Sequence, residues 1–220
     1  MVRVEPDEPR PGPLRRLAFN AALPFRLDPA RFDLVVSFDL DGCFLDTGGV
    51  PHVAALKGVM ADEARFERGL TRLRFRALSR LERRAARRAD RVVVTSEYCR
   101  EVVRRAYGVP RGRQAVVPEG LDLGAWRDLP APEEGSQRPP TILSVARQYP
   151  RKNTATLVRA FARVRQERPE ARLRVVGGGP ELDRLRRLVR RLDLDGPARL
   201  DGAVPGLDAI REAYASADVF

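Results

Sequence analysis

TILSVARQYPRKNTATLVRAFARV, residues 141–164, is the stretch that decides the fold. An apolar run from Ile142 to Val145 reads as a buried strand. A loop carrying Arg147, Arg151 and Lys152 follows, and a helix begins directly after it. The chain holds 41 Lys plus Arg, yet only Lys57 and Lys152 are lysines. Lysine is a compact, mobile point charge and arginine a planar fork, so the two do not substitute freely. A lysine surviving in so arginine-biased a chain points to local chemistry. Cations converging ahead of a helix N-terminus make an anion site, and diphosphate is the expected guest. The competing reading is an ordinary solvated strand-to-helix loop.

Working outward, strands and helices alternate, as in a parallel α/β sheet. Strands are predicted at 34–38, 52–56, 91–95, 115–117, 142–145, 173–176 and 198–200. Helices are predicted at about 65–89, 97–107, 154–167, 181–192 and 207–215. Continuous apolar runs are what strands covered on both faces require. The segment RDLPAPEEGSQRPP has no periodicity and reads as a linker. The expected organisation is therefore a first Rossmann-like domain over 1–126, a linker over 127–140 and a second Rossmann-like domain over 141–220. The first 30 residues are Pro- and Arg-rich without an opening strand and Gly-rich turn. Ser216–Phe220 reads as the start of a further strand. Both domains are thus expected to be incomplete, and the chain a fragment.

Composition narrows the function classes. Hydrophobic content of 43% and charged content of 32% suit a globular chain. No apolar run approaches the ~18 residues that span a bilayer, and MVRVEPDEPRPGP has no signal-peptide core. Cys43 and Cys99 have no metal-ligand spacing. These features set the expectation of a cytoplasmic protein without a metal or bound cofactor. A net charge of +11 invites a nucleic-acid reading. However, the basic residues are interleaved with Glu and Asp along helices, and aromatics are only 6% of the chain. Anionic small substrates, or peripheral contact with an anionic membrane face, account for the charge without nucleic acid.

Three further elements carry chemistry. Gly177, Gly178 and Gly179 end a strand and lead into a helix, on the edge of a parallel sheet where ligands bind. They do not fit the dinucleotide fingerprint, because Leu182 stands where a third glycine belongs. A simple tight turn with Pro180 at the first helical turn is equally compatible. Phe38-Asp39-Leu40-Asp41-Gly42 mimics the haloacid-dehalogenase phosphatase signature, in which one Asp attacks phosphorus and the next-but-one protonates the leaving group. The long helix over about 65–89 repeats Phe66, Leu70, Leu73, Ala77, Leu81 and Ala85 at three- and four-residue steps, with arginine elsewhere. It is expected to cover the sheet with that stripe and solvate its basic side, Glu67 and Glu82 pairing locally. A membrane-contact helix is the alternative.

Beyond these local readings, residues 142–220 resemble the donor domain of retaining GT-B glycosyltransferases of family 4. The landmarks stand in family order: Arg147 and Lys152 in an R-x(4)-K loop, the turn Gly177–Gly179, the element Ala198–Val204, and Tyr214–Phe220 as the Y-x-x-A-D-V-F strand entry. Upstream, residues 89–126 resemble the end of the acceptor domain, with Pro118-Glu119-Gly120-Leu121-Asp122 where the family has P-N-G-V-D. The resemblance implies a metal-independent transfer, with retention, from a UDP-, GDP- or ADP-sugar to a glycan, lipid or small-molecule acceptor. Arg147 and Lys152 would bind the donor diphosphate and stabilise its leaving charge, and Gly177–Gly179 would let backbone approach the donor. Lys57 stands where the family often has a histidine near the sugar, and His52 earlier in that strand is assigned to packing. The family's E-x(7)-E element does not occur in the sequence, so these 220 residues alone are expected to be inactive. Two readings stand against transfer: a Mg2+-dependent phosphatase using Asp39 and Asp41, and a non-catalytic basic binding module.

Overall fold

The computed structural model describes residues 13–127, 129 and 138–220. The chain divides after Gly120 into two compact units. Of the linker expected over 127–140, residues 128 and 130–137 lie outside the described residues. The division leaves Trp126 with the second unit, where its ring packs edge-on against Tyr214 at 5.4 Å.

The first unit holds four parallel strands in the order β1 (Val35–Phe38), β2 (His52–Leu56), β3 (Arg91–Val94) and β4 (Gln114–Val116). Ala54 and Leu56 of β2 and Val92 and Val94 of β3 point to one face. There they meet Ala86 of α3 (Gly69–Arg88) and Val103 and Tyr107 of α4 (Glu97–Tyr107). Alternation at period two puts these side chains on one side, and helices at period 3.6 close over them. Ser96 starts α4 by accepting from the Cys99 N–H at 3.2 Å, and Gly108 ends it in the left-handed region.

Two departures from the sequence expectation arise here. A helix α1 (Pro13–Arg26) forms in the Pro- and Arg-rich opening, for which the sequence predicts no element. Its run LRRLAFNAAL has helical spacing, and Leu23 seats against Val35 of β1 and Leu45. The helix predicted at 65–89 forms as α3, which begins only at Gly69 with φ 55°; a short helix α2 (Met60–Glu63), for which no element was predicted, precedes it across a turn. Glu82 does not pair with a neighbouring arginine. It lies buried at 1% exposure, accepting from the Met60 N–H at 2.8 Å and from the Tyr107 hydroxyl. It thereby caps the N-terminus of α2.

The second unit holds three parallel strands, β5 (Thr141–Val145), β6 (Arg172–Val176) and β7 (Ala198–Gly202). Val158 and Phe161 of α5 (Thr154–Glu167) and Leu188 and Val189 of α6 (Leu182–Arg191) pack one face. Ala213 and Tyr214 of α7 (Gly206–Ala215) join Leu143 and Val176 in a separate cluster. The run expected to begin another strand lies along β5: Leu143 N–H donates to the Val219 carbonyl at 2.8 Å. Asp218 holds this arrangement by accepting from Thr141 N–H at 2.7 Å and from Arg138 at 2.6 Å.

Burial raises the Glu82 carboxyl from its usual 4.5 to about 7. Between those values the folded chain keeps a proton that the unfolded chain releases. Its stabilising contribution is therefore complete below about pH 4.5 and lost as pH rises through 7. Glu82→Gln, neutral throughout, removes that dependence. Urea unfolding at both ends of the range should show the variant gaining on the parent with rising pH, by up to about 3 kcal/mol.

Candidate functional site

In the second unit the β5–α5 loop turns through a short 3-10 helix, Pro150–Lys152, and Asn153 at φ 51° redirects the chain into α5. The loop is fixed by Gln148, which is fully buried. Its side-chain amide donates to the Ala146 carbonyl at 2.6 Å, and its side-chain oxygen accepts from Thr154 Oγ1 at 2.7 Å. Its backbone N–H donates to the Gly178 carbonyl, and its carbonyl accepts from Glu181 N–H, both at 3.0 Å. One residue thus joins the end of β5, the start of α5 and the β6–α6 turn.

That turn explains its glycines. A Cβ on Gly177 would lie 1.9 Å from the Ala146 carbonyl oxygen, and one on Gly179 2.5 Å from the Gln148 carbonyl oxygen. Both have positive φ, 124° and 158°. Two backbones meet here where no side chain fits. Gly178 is different: its Cβ would stand 3.4 Å from that of Ala203, an ordinary contact.

The cations lie on the outer side of this clamp. Arg147 and Lys152 are exposed, and among the described residues neither has a carboxylate within ion-pair distance. The guanidinium carbons of Arg147 and Arg151 sit 5.1 and 5.2 Å from the Tyr149 ring centre. The first N–H groups of a helix such as α5 have no intrahelical acceptors. Positive side chains therefore surround a helix start at the C-terminal end of a parallel strand.

The first unit places Asp39 and Asp41 in a structural network. Arg16 of α1 grips Asp41 with two bonds, Nε at 2.9 Å and Nη2 at 3.0 Å, and reaches Asp39 at 3.6 Å. Asn20, fully buried, donates to Asp41 at 2.9 Å and accepts from Gly42 N–H at 2.8 Å. Asp39, at φ 54°, accepts the Lys57 N–H at 3.0 Å and so ties the ends of β1 and β2 together. Both oxygens of Asp41 are occupied. Among the described residues no group of three or more His, Cys, Asp or Glu is arranged to hold a metal ion. The phosphatase reading of Asp39 and Asp41 is not favoured by this geometry. Arg16 and Asn20, which decide it, went unread because no helix was expected around them.

Lys57 extends from the end of β2 to Glu119 beyond β4, Nζ 2.7 and 2.9 Å from the two carboxylate oxygens. Its ammonium also lies 5.9 Å from the Phe38 ring centre. It is an exposed ion pair and not a lone cation. His52 is buried with Nε2 2.8 Å from Ser37 Oγ, and burial lowers its pKa. That is a packing position.

The architecture places the chain among α/β proteins with tandem parallel sheets, and solved structures similar to it share that fold. WaaG, a glycosyltransferase involved in lipopolysaccharide biosynthesis, superposes with a TM-score of 0.68 at 20% identity, over 93% of this chain and 56% of its own. Anabaena HepE in complex with UDP and glucose gives 0.65 at 20% identity, over 96% and 58%. Residues 2–125 match the model of Glycosyltransferase Family 4, and residues 128–220 that of glycosyl transferases group 1. The chain belongs to glycosyltransferase family 4, with the GT-B type of α/β fold.

Among curated relatives, a GDP-mannose-dependent alpha-(1-6)-phosphatidylinositol monomannoside mannosyltransferase of Mycobacterium tuberculosis is 32% identical, over 63% of this chain and 37% of its own length. A D-inositol 3-phosphate glycosyltransferase of Kineococcus radiotolerans is 34% identical, over 63% and 35%. The chain spans little more than a third of these relatives.

The clash at Gly177 and its absence at Gly178 give a paired expectation. Gly177→Ala should destabilise the second unit by about 3 kcal/mol or more, through overlap and a forbidden backbone region. Gly178→Ala should change stability by less than about 1 kcal/mol. Thermal unfolding of both variants beside the parent checks this, and equal losses would remove the backbone-contact explanation.

Proposed function

We propose that the full-length protein is a retaining glycosyltransferase that moves a sugar from a nucleoside diphosphate sugar to an acceptor, and that Arg147 and Lys152 take the donor diphosphate. The observation that carries this reading is the exposed Arg147–Lys152 loop at the start of α5, held against the Gly177–Gly179 turn through Gln148. Charge develops on the diphosphate as the glycosidic bond breaks. Cations already fixed beside it lower that barrier without reorganising. Gln148 acts through position only, since its side chain is buried behind the loop. The glycine turn contributes the same way, bringing the loop to a set place by backbone contact.

The family relation supports a nucleotide-sugar donor, as does a like-folded structure determined with UDP and glucose. UDP-, GDP- and ADP-sugars all present the diphosphate this loop would hold. The acceptor is a glycan, lipid or small molecule. Lys57 has an acceptor-side role in this reading, with its ammonium shared with Glu119. The resemblance requires no metal, since the cationic loop supplies the positive charge.

A charge-assisted contact to phosphate is worth about 1.5–3 kcal/mol, or roughly 10- to 100-fold. In the full-length protein Lys152→Ala should weaken UDP, GDP or ADP binding by that factor by calorimetry and abolish donor turnover, with an unchanged melting transition. Undiminished turnover would overturn the assignment. Lys57→Ala should leave nucleotide affinity within about twofold and lower turnover with the acceptor present.

A further inference from the structure

Over the first turns of α3 the apolar stripe does not face the core. Phe66 before the helix and Leu70 and Leu73 within it are 48%, 79% and 59% exposed, and Ala77 is exposed as well. The side chains that α3 buries are Glu82, Ala85 and Ala86. At about 100° per residue, Leu70, Leu73 and Ala77 occupy an arc of about 60°. Its centre lies about 140° around the helix from that of the buried residues. The expectation that this stripe covers the sheet is therefore corrected over the first turns, where Leu70, Leu73 and Ala77 point outward; at the C-terminal end of the same stripe Leu81 is half-buried and Ala85 buried.

Arginine dominates the rim of that arc, with Asp46 3.8 Å from Arg88 at its C-terminal end. The eight arginines of α3 (72, 74, 76, 80, 83, 84, 87 and 88) are all exposed, and the helix's single carboxylate, Glu82, is turned inward. Arg80, Arg83, Arg84, Arg87 and Arg88 line an open bay of about 420 Å³ on the C-terminal half. Arg84 also lies 6.0 Å from the ring centre of Phe44, itself partly exposed. One helix thus presents an apolar ridge over its first turns and an arginine bay over its last, along one outward side. Among the described residues no helix is long and apolar enough to cross a membrane.

We propose that this outward face of α3 docks on the surface of an anionic phospholipid bilayer, with Phe66, Leu70 and Leu73 entering the headgroup–acyl boundary and the arginine bay holding lipid phosphates. Charge complementarity selects the occupant. A face whose eight arginines have one carboxylate partner among the described residues, Asp46 at 3.8 Å from Arg88, would repel a second copy of itself. A nucleic-acid backbone would use the bay but leave the leucines in water. A bilayer satisfies both halves at once, because apolar insertion and headgroup charge meet at its interface. The docking surface stands independently of the transfer reaction proposed above.

Co-sedimentation of the full-length protein with vesicles tests it. Retention is expected on phosphatidylcholine with about 30 mol% phosphatidylglycerol at about 0.1 M salt, and not on phosphatidylcholine alone. Leu70→Ser with Leu73→Ser should lower partition at least about tenfold without moving the thermal transition, because both side chains are already exposed. Arg83→Glu with Arg87→Glu should lower it at least about fivefold per residue. Leu70→Trp should show a blue-shifted emission component on anionic vesicles beyond that of Trp126. Arg187→Glu with Arg190→Glu on α6, which carries its own arginine bay, should leave retention intact. Equal loss from the α6 reversals, or retention indifferent to the leucine changes, overturns the proposal. So does retention on DNA but not on vesicles, or a dimer that the leucine variants dissociate while vesicles are ignored.

Discussion

The second unit depends on one approach of two backbones, where Gly177 and Gly179 meet the carbonyls of Ala146 and Gln148. Neighbouring parallel strands are held about 4.8 Å apart by their ladder. The loops leaving their ends diverge unless something draws them together. Here absent side chains allow the approach, and hydrogen bonds from Gln148 maintain it. The positions of Arg147 and Lys152 follow from that contact, because the loop between them is too short to wander once its base is pinned. In the proposed role, a cationic pair that takes a diphosphate needs such restraint, since mobile side chains would lose entropy on binding.

The first unit solves an equivalent problem with ions. Arg16 and Asn20 of α1 hold Asp41, and Asp39 holds the backbone at Lys57. Aspartates that mimic a nucleophile and its partner acid are here fasteners between a helix and two strand ends. Motif matching alone could not separate these uses. The difference lies in whether an oxygen remains free, and that depends on a helix twenty residues upstream.

Much of the fold was legible. The strand at His52–Leu56 and the helices at 97–107 and 154–167 have the predicted bounds, because strong periodicity coincides there with clear boundary signals: Ser96 and Asn153 at helix starts and Gly108 at a helix end. The opening helix was hidden by prolines that bracket it without occupying its middle. Orientation was the deeper failure. In α3 one stripe runs from an exposed start at Leu70 to a buried end at Ala85, and periodicity reports that a stripe exists without reporting where along it the sheet lies. Ala86, buried against β-strand valines, is small and lies outside the periodic stripe, while exposed leucines dominate any hydrophobicity count. Glu82 was misread for the same reason: its charge suggested solvent, and only the tertiary partners Tyr107 and Met60 account for its burial. The cationic loop was visible from residue types, but Gln148, a polar side chain in a polar segment, gave no signal of its central place.

The scarcity of lysine has a consequence for control. A basic surface made from lysine can be discharged by acetylation, residue by residue, and so tuned without altering the fold. The helix Gly69–Arg88 contains arginine alone, whose guanidinium stays charged across the physiological range and is no substrate for that reaction. Its electrostatics are constitutive, set when the chain is made. Lys57 and Lys152 are then the only side chains at which acylation could remove a positive charge, and each stands in a strand-end loop.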